Sequence, residues 1–333
     1  MAATVYGGLG RIRHTLHTTT DYWSRTGHHF AGQLREGVQR YALSERDMQR
    51  IFDKEIAPEH LEAAAGGRKT SGRLVLTTVV GQPGSGKTTT IHAVAESFRE
   101  RGGAIPLIAD DYVRHHPEFA ALRDCDDFTT GDHLYPIAER WLDMAIDYVI
   151  ARRRSAVLEE GAGDPMRAAQ RIRRFQQNRY GSVIDAVAVS RAESEASVLA
   201  RFLRERLRYG AGRYVPGTAQ TACFHGSADL LRMLESDRPP VAVDALRVRT
   251  RSEVLFENHR IATGQWAESP KGWHTLQAER DRPLTTDEEH AYFERAMSFR
   301  ETLAQANVDV PEQAADWQRL LLEMDHASML VPS

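Results

Sequence analysis

The sequence predicts an α/β fold: a doubly wound, mostly parallel sheet with helical extensions at the N- and C-terminal ends. Three observations predict it. From Arg73 onward, short β-branched and apolar segments alternate with longer amphipathic ones, the pattern of repeated βα units whose helices cover both faces of a parallel sheet. A glycine-rich run, Gly81 to Gly86, follows the first of these strands and opens a helix. Acidic residues, Asp110-Asp111 and Glu159-Glu160, fall where the next two strands end, the edge at which open α/β sheets bind ligands.

Residues 1 to 42 mix Gly, Thr, His and Arg without apolar periodicity and read as a weakly structured lead-in, with one helix near Phe30 to Tyr41. Leu43-Ser44-Glu45-Arg46-Asp47 opens a helix in which Met48, Ile51 and Phe52 share a face; Pro58 and a second short helix ending at Gly66-Gly67 follow. The strand Arg73 to Val80 is apolar on both faces, as a buried strand is. A helix from Lys87 to Arg101 ends at Gly102-Gly103, a strand spans Ala104 to Ala109, and a helix runs about His133 to Arg153. Then come a strand Ala156 to Glu159, a helix Arg167 to Gln177, a strand Ser182 to Val189 and a helix Ala192 to Tyr209. Leu246 to Val248 and Val254 to Phe256 form a late hairpin. The tail predicts two helices, one opened by Thr286 with Glu289 three residues on, the other by Pro311. Three regions follow: an N-terminal helical extension over 1–70, a nucleotide-binding domain over 71–260, and a C-terminal helical extension over 261–333.

Composition narrows the class. With 333 residues, 41% of them hydrophobic and 27% charged, the chain is neither disordered nor collagen-like nor polytopic. No run approaches the ~18 apolar residues of a membrane helix, and Met1 to Thr20 lacks the apolar core of a secretory signal, so the expected compartment is the cytoplasm. Cys125 and Cys223 offer no disulfide framework and no zinc spacing. A formal charge of -3 argues against a general nucleic-acid binder. All but four of the 43 basic side chains are arginines, a skew that makes position more informative than number.

Gly81-Gln82-Pro83-Gly84-Ser85-Gly86-Lys87-Thr88 satisfies G-x-x-x-x-G-K-[ST] between a strand and a helix. In such a loop the backbone amides turn inward and join the positive end of the following helix to hold a nucleotide's phosphates. Lys87 is placed to bridge the β- and γ-phosphates and the Thr88 hydroxyl to ligate Mg²⁺. Thr89 closes the nucleotide-binding set, although by position both it and Thr90 read as helix surface.

Chemistry beyond the loop depends on the acids and arginines downstream. No N-K-x-D motif is present, and Leu158-Glu159-Glu160-Gly161-Ala162-Gly163 is unlike the paired acids of a motor ATPase. The sheet is therefore expected to be of P-loop kinase type. A kinase acting on a hydroxyl needs a carboxylate beside it to accept the proton as the O–P bond forms, and Asp110 and Asp111 are both candidates. Glu160 faces the same crevice as a substrate or metal partner, with Glu159 expected on the opposite face because adjacent strand residues point apart. The run Arg201 to Arg213 (RFLRERLRYGAGR) supplies a helix of arginines and, across Gly210-Ala211-Gly212, a flexible connection to Arg213, the means by which kinases gather positive charge round a transferring phosphoryl group. Spacing does not single out Arg201 or Arg213, and Arg204, Arg206 and Arg208 read as a solvated face.

The ordered set resembles the zeta toxin family of P-loop kinases. The resemblance rests on Gly81 to Thr88, on Asp110 to Phe119 (DDYVRHHPEF) with His116-Pro117 six residues after the first acid, on Glu160-Gly161, and on Arg201 and Gly212-Arg213; it spans residues 45 to 260. It implies ATP- or GTP-dependent phosphorylation of a UDP-sugar, UDP-N-acetylglucosamine, on the 3'-hydroxyl of its sugar, and an antitoxin protein as partner. It implies Asp110 as the proton acceptor with Asp111 as fallback, Lys87 as the phosphate lysine, Glu160 as the glutamate near substrate and metal, and Arg201 and Arg213 as the phosphate clamp. The sequence departs from the family where Glu-Gly-Thr and an arginine are usual: here the run is Gly161-Ala162-Gly163-Asp164, and Arg167 is the candidate replacement contact. Arg114 is displaced by one position, and His115 and His116 read as packing residues because Mg²⁺ prefers oxygen.

Two rival readings use the same residues. One is a nucleotide or polynucleotide 5'-kinase with Arg171, Arg173, Arg174 and Arg179 as a phosphate track; the other is an ATP-controlled module whose helical ends bind a protein partner. Residues 1 to 70, ahead of the P-loop strand, are a candidate built-in cover for the nucleotide cleft.

Overall fold

The structure, a computed structural model, describes residues 40–65, 70–125 and 127–306. The helix expected near Phe30 to Tyr41 lies almost wholly outside them, as do the helix opened by Pro311 and most of the candidate cleft cover.

Ser44 caps the first described helix, α1 (Glu45–Ile51), by accepting a hydrogen bond from Asp47 N at 3.1 Å. Two separate helices were expected around Pro58. Instead α1 runs on without a break as a π-helix, Phe52–Glu62. Proline lacks the N–H an α-helix would use and its ring crowds the preceding turn; the wider turn accommodates it. Met48, Ile51, Phe52, Ile56 and Leu61 are buried along this element, and Trp141 donates Nε1–H to Met48 O at 3.2 Å.

The sheet comprises β1 (Val75–Val80), β2 (Ala104–Leu107), β3 (Ser155–Glu160), β4 (Gly181–Val187), β5 (Ala245–Arg249) and β6 (Val254–His259), in the order β2-β3-β1-β4-β5-β6. Every pairing is parallel except β5 with β6, which closes the sheet with the expected hairpin. β1 therefore lies between β3 and β4, where the winding reverses, and the loop leaving its carboxyl end enters the crevice that such sheets use for ligands.

The helices are α2 (Lys87–Ser97), α3 (Ala109–Tyr112), α4 (Phe119–Cys125), α5 (Thr130–Ala151), α6 (Pro165–Gln177), α7 (Arg191–Tyr209), α8 (Gly217–Leu234), α9 (Gly272–Asp281) and α10 (Thr286–Ala306). On one face of the sheet Val79, Val157 and Val187 pack with Ile91 of α2 and Phe98. On the other, Leu76, Val80, Leu158, Ile184 and Leu246 pack with Trp141, Ile146, Ile172, Phe175 and Leu231. Each such apolar side chain taken fully from water contributes about 1.5–3 kcal/mol, so the two layers fix which strand residues face which helices. Among the described residues no helix is long and apolar enough to cross a membrane.

Helices α8 and α9 were not expected. Helix α8 contains glycines, Thr and Cys, and buries Gln220, Gly226 and Ser227 together with Leu230 and Leu231, so its inward face carries no plain apolar stripe. Helix α9, in the expected C-terminal extension, buries Leu276 and Arg280, an inward face on which the charged side chain hides the pattern.

Candidate active site

The loop between β1 and α2 is shaped by glycine and held by side chains from α7, α9 and the turn between β5 and β6. Gly84 has φ +80°, and a Cβ there would lie 2.2 Å from Ser194 O in the first turn of α7; only glycine permits both the left-handed turn and this approach. Gln82 is buried, donating Nε2–H to Val189 O at 2.8 Å and to Ser194 Oγ at 3.3 Å. Its Oε1 accepts from Arg280 Nη2 at 2.8 Å. Arg251, from the turn between β5 and β6, donates to Ser85 O at 3.3 Å and Gly84 O at 3.0 Å and pairs with Glu193. Ser85 Oγ, buried, finds no partner among the described residues.

Lys87 is buried, with Nζ 3.1 Å from Gln82 O and 3.4 Å from Glu159 Oε1. Glu159 was expected on the face away from the crevice. It instead shares the α2 face with Val157, and Glu160 takes the other. Burial pushes the Glu159 carboxyl up, against the opposing pull of Lys87. Pro83 and Gly86 are half-buried, Gly81 is buried and donates its N–H to Glu160 O at 3.2 Å, and Thr88 and Thr89 are exposed. Thr90, expected on the helix surface, is buried.

Asp110 and Asp111 sit in the short helix α3 just past β2. Asp110 Oδ2 lies 2.7 Å from Arg213 Nη1. Asp111 is the more exposed of the two; desolvation, and then the charge of Asp110, push its carboxyl up. The chain leaves this turn through His116, which is buried, accepts from Glu118 N at Nδ1 and meets Tyr41 O at 3.0 Å through Nε2.

Arg201 enters from α7 and Arg213 from the segment beyond it. The connection was expected to be flexible, but it is pinned: Gly212 N donates to Asp127 Oδ2 and Arg213 N to Glu205 Oε2, each at 2.8 Å. Phe128, Phe202 and Tyr214 pack around it with ring centroids 5.1 to 5.8 Å apart. Burial, and next the charge of Arg213, hold the Arg201 guanidinium down to about 10. Burial works in the same sense on Arg213, but Asp110 and Glu159 outweigh it and raise this guanidinium. Nε and Nη2 of Arg201 and Nε of Arg213 are buried without an acceptor among the described residues. Arg206, expected on a solvated face, instead lies 3.5 Å from Asp127 and packs over Phe128 and Phe202.

Glu160 and Arg167 join a separate network. Arg171, itself buried, reaches Glu139 at 2.7 Å, Asp143 at 3.2 Å and Glu160 at 3.3 Å. Arg167, about half exposed, pairs with Glu139 at 3.1 Å and Asp143 at 3.5 Å. Glu160 also accepts from Ala162 N at 2.9 Å, and its burial, opposed by Arg171, pushes its carboxyl up. The loop that follows is clamped by α8: a Cβ on Gly226 would lie 1.9 Å from Ala162 O, and Cys223 Sγ abuts Gly161. Three members of the candidate phosphate track are engaged within the protein. Arg171 is buried among carboxylates, Arg173 donates to Pro240 O, and Arg174 pairs with Asp143 and Asp147.

The residues present fit a nucleotide and its metal. Lys87, Arg201 and Arg213 gather beside Asp110 and Glu159, and buried N–H groups of both arginines find no acceptor among the described residues. Phosphate oxygens are the acceptors that such guanidinium groups match best. The exposed Thr88 hydroxyl and the Glu159 carboxylate are oxygen donors of the kind Mg²⁺ requires. Glu159, Arg280 and Arg251 were not among the expected site residues. Only the β1-to-β3 pairing and the α2 packing reveal Glu159, since a strand apolar on both faces carries no parity signal.

Comparison with known proteins gives a family and a fold. The family model for zeta toxin matches residues 61–261. A structure from the PezAT chromosomal toxin-antitoxin system of Streptococcus pneumoniae superposes with a TM-score of 0.62 at 13% identity, covering 80% of this chain and 98% of that one. A structure of AvrRxo1-ORF1 with AvrRxo1-ORF2 and sulphate ions superposes with a TM-score of 0.50 at 11% identity, covering 85% of this chain and 88% of that one. At these identities the likeness is one of fold. No curated protein matches the chain by sequence.

Proposed function

This chain belongs to the zeta toxin family, and from that premise we propose that it is a kinase transferring the γ-phosphoryl group of ATP or GTP to a sugar hydroxyl of a UDP-sugar such as UDP-N-acetylglucosamine. The observation that carries the reading is the convergence of Arg213 on Asp110 at 2.7 Å beside buried guanidinium N–H groups of Arg201 and Arg213 that find no acceptor among the described residues. A proton acceptor is thereby set against a phosphate clamp, which is what transfer to a hydroxyl requires.

In this reading the amides of Gly84 to Thr88 and the Lys87 ammonium hold the donor's phosphates. Asp110 accepts the acceptor's hydroxyl proton, with Asp111 alongside, while Arg201 and Arg213 bear on the negative charge of the transferring group. Mg²⁺, held by Thr88 and Glu159, would neutralise charge on the phosphate oxygens. Glu160 and Arg167 flank the acceptor, linked to each other through the Arg171–Glu139 ion pair. The protein acts in the cytoplasm as the toxin of a toxin-antitoxin pair. Support for a protein partner comes from the PezAT and AvrRxo1 structures, the first from a toxin-antitoxin system and the second a two-protein complex. The polynucleotide alternative is disfavoured because Arg171, Arg173 and Arg174 are already engaged.

The test is direct. The purified protein is incubated with Mg²⁺, ATP or GTP and a panel of UDP-sugars, and products are read by mass for one added phosphate. Lys87→Ala and Asp110→Ala should each abolish the product while keeping the native circular dichroism. Full activity in an Asp110→Ala, Asp111→Ala double variant would remove the proton-acceptor assignment.

A further inference from the structure

Away from the P-loop, the π-helix Phe52–Glu62 meets the segment just past Asp110-Asp111. Two imidazole nitrogens converge there, His60 Nε2 and His115 Nε2, 2.9 Å apart. Glu59 Oε2 lies 3.8 Å from His115 Nε2, and one ligand atom from each of Glu59, His60 and His115 falls within 4.8 Å of the others. The other nitrogen of His115, Nδ1, meets Glu55 Oε2 at 3.4 Å. A carboxylate on Nδ1 fixes the tautomer that leaves Nε2 with a free lone pair, the arrangement around metal-bound histidines. The π register contributes too: with more than four residues per turn, it stacks Glu55, Glu59 and His60 on one face, and π-helical turns recur at functional sites.

We propose that Glu59, His60 and His115 form a transition-metal site, of the chemical class that takes Zn²⁺, with a water as fourth ligand. Two imidazoles on a tetrahedral zinc stand about 3.3 Å apart, given Zn–N bonds of about 2.0–2.1 Å. The observed 2.9 Å needs only a small opening. Nitrogen donors suit Zn²⁺ and its first-row neighbours and not Mg²⁺, so this site is chemically distinct from the one holding the kinase metal. Arg114 is the competing cation: it pairs with Glu59 and lies 3.4 Å from His60 Nε2. Arg114 and Glu59 are both 53% exposed, and exposed ion pairs of this kind contribute little to stability. Arg114 can therefore yield to a metal at little cost. The ion would staple the π-helix Phe52–Glu62 to the segment that carries Asp110 and Asp111, with His60 already packed on Tyr112 at a centroid distance of 5.3 Å.

The experiment titrates ZnCl₂ into the chelator-treated full chain by calorimetry and follows the melting temperature with and without the metal. One Zn²⁺ per chain, bound at micromolar Kd or tighter with a rise in Tm, is expected. His60→Ala and His115→Ala should each weaken binding at least about 100-fold and abolish the Zn²⁺-dependent rise. Glu55→Gln keeps every ligand and should weaken binding about 10-fold, at the low end for lost outer partners; it guards against a His variant that simply unfolds. Co²⁺ in place of Zn²⁺ should give the strong visible bands of a tetrahedral site in the native protein only. Absence of one-to-one binding below 100 µM, or binding retained by a folded His60→Ala, His115→Ala double variant, would overturn the proposal and leave a histidine-histidine hydrogen bond.

Discussion

Arg213 Nη1 lies 2.7 Å from Asp110 Oδ2, so a guanidinium delivered by the segment after α7 meets a carboxylate delivered by the turn after β2. The segment is held by Asp127 and Glu205 through backbone N–H groups, which removes its freedom before any substrate arrives. Arg213→Ala should therefore lower kcat about 10³-fold, the scale of an arginine acting on a transferring phosphoryl group, with little change in Tm. Arg213→Lys should recover only part of it, because a point charge does not reproduce the planar fork. Steady-state kinetics on the best acceptor decide this.

Arg280 contributes from outside the residues that match the family. It is buried and donates to Gln82 Oε1, Ser227 Oγ and Phe224 O, each at 2.8 Å, with its guanidinium 4.3 Å from the Phe224 ring centroid. Burial holds it down to about 10. Arg280→Met should free the Gln82 side chain, raise the KM for ATP about 10-fold more than it lowers kcat, and cost about 2 kcal/mol from buried acceptors left unpaired. Truncating the chain before α9 should reproduce the KM effect, read in the same assay.

Gly226 is the point at which α8 touches the loop after β3. An added Cβ would lie 1.9 Å from Ala162 O, a backbone atom that cannot turn aside. Gly226→Ala should destabilise the protein by about 3 kcal/mol, at the upper end for overpacking. Gly131→Ala, whose Cβ would meet only Tyr214 O at 3.5 Å, should be close to neutral. Denaturant midpoints of the two variants make the comparison.

Asp185 predicts a pH dependence. It is buried in β4, the guanidinium of Arg249 lies 3.7 Å from its Oδ2, and Oδ1 has no partner among the described residues. Burial pushes its carboxyl above the ordinary 3.8, with Arg249 opposing. The native state thus holds the proton more tightly than the unfolded chain, and stability declines as pH rises from 3.8 through the raised native value. Asp185→Asn should be more stable than the parent at pH 7 by about 1 kcal/mol, with the gap closing in acid. Urea denaturation across that range reads the difference.

The sequence by itself determined the alternation of strands and helices, the phosphate loop and the presence of acids at two strand ends, because each is a local pattern: period, glycine placement, strand termini. It also carried Arg201 and Arg213, though only as two arginines in a run of many. What the tertiary structure decided lies between segments distant in the chain. Glu159 rather than Glu160 meets Lys87 because β3 pairs with β1 in a register that aligns Val79 with Glu159 and puts it on the α2 face, and a strand buried on both sides hides its parity. Arg280 reaches Gln82 across 198 positions, and α8, whose small residues break the apolar stripe, shows its purpose only where Gly226 meets Ala162. Such contacts are set by close packing of whole layers, and no window along the sequence contains both partners.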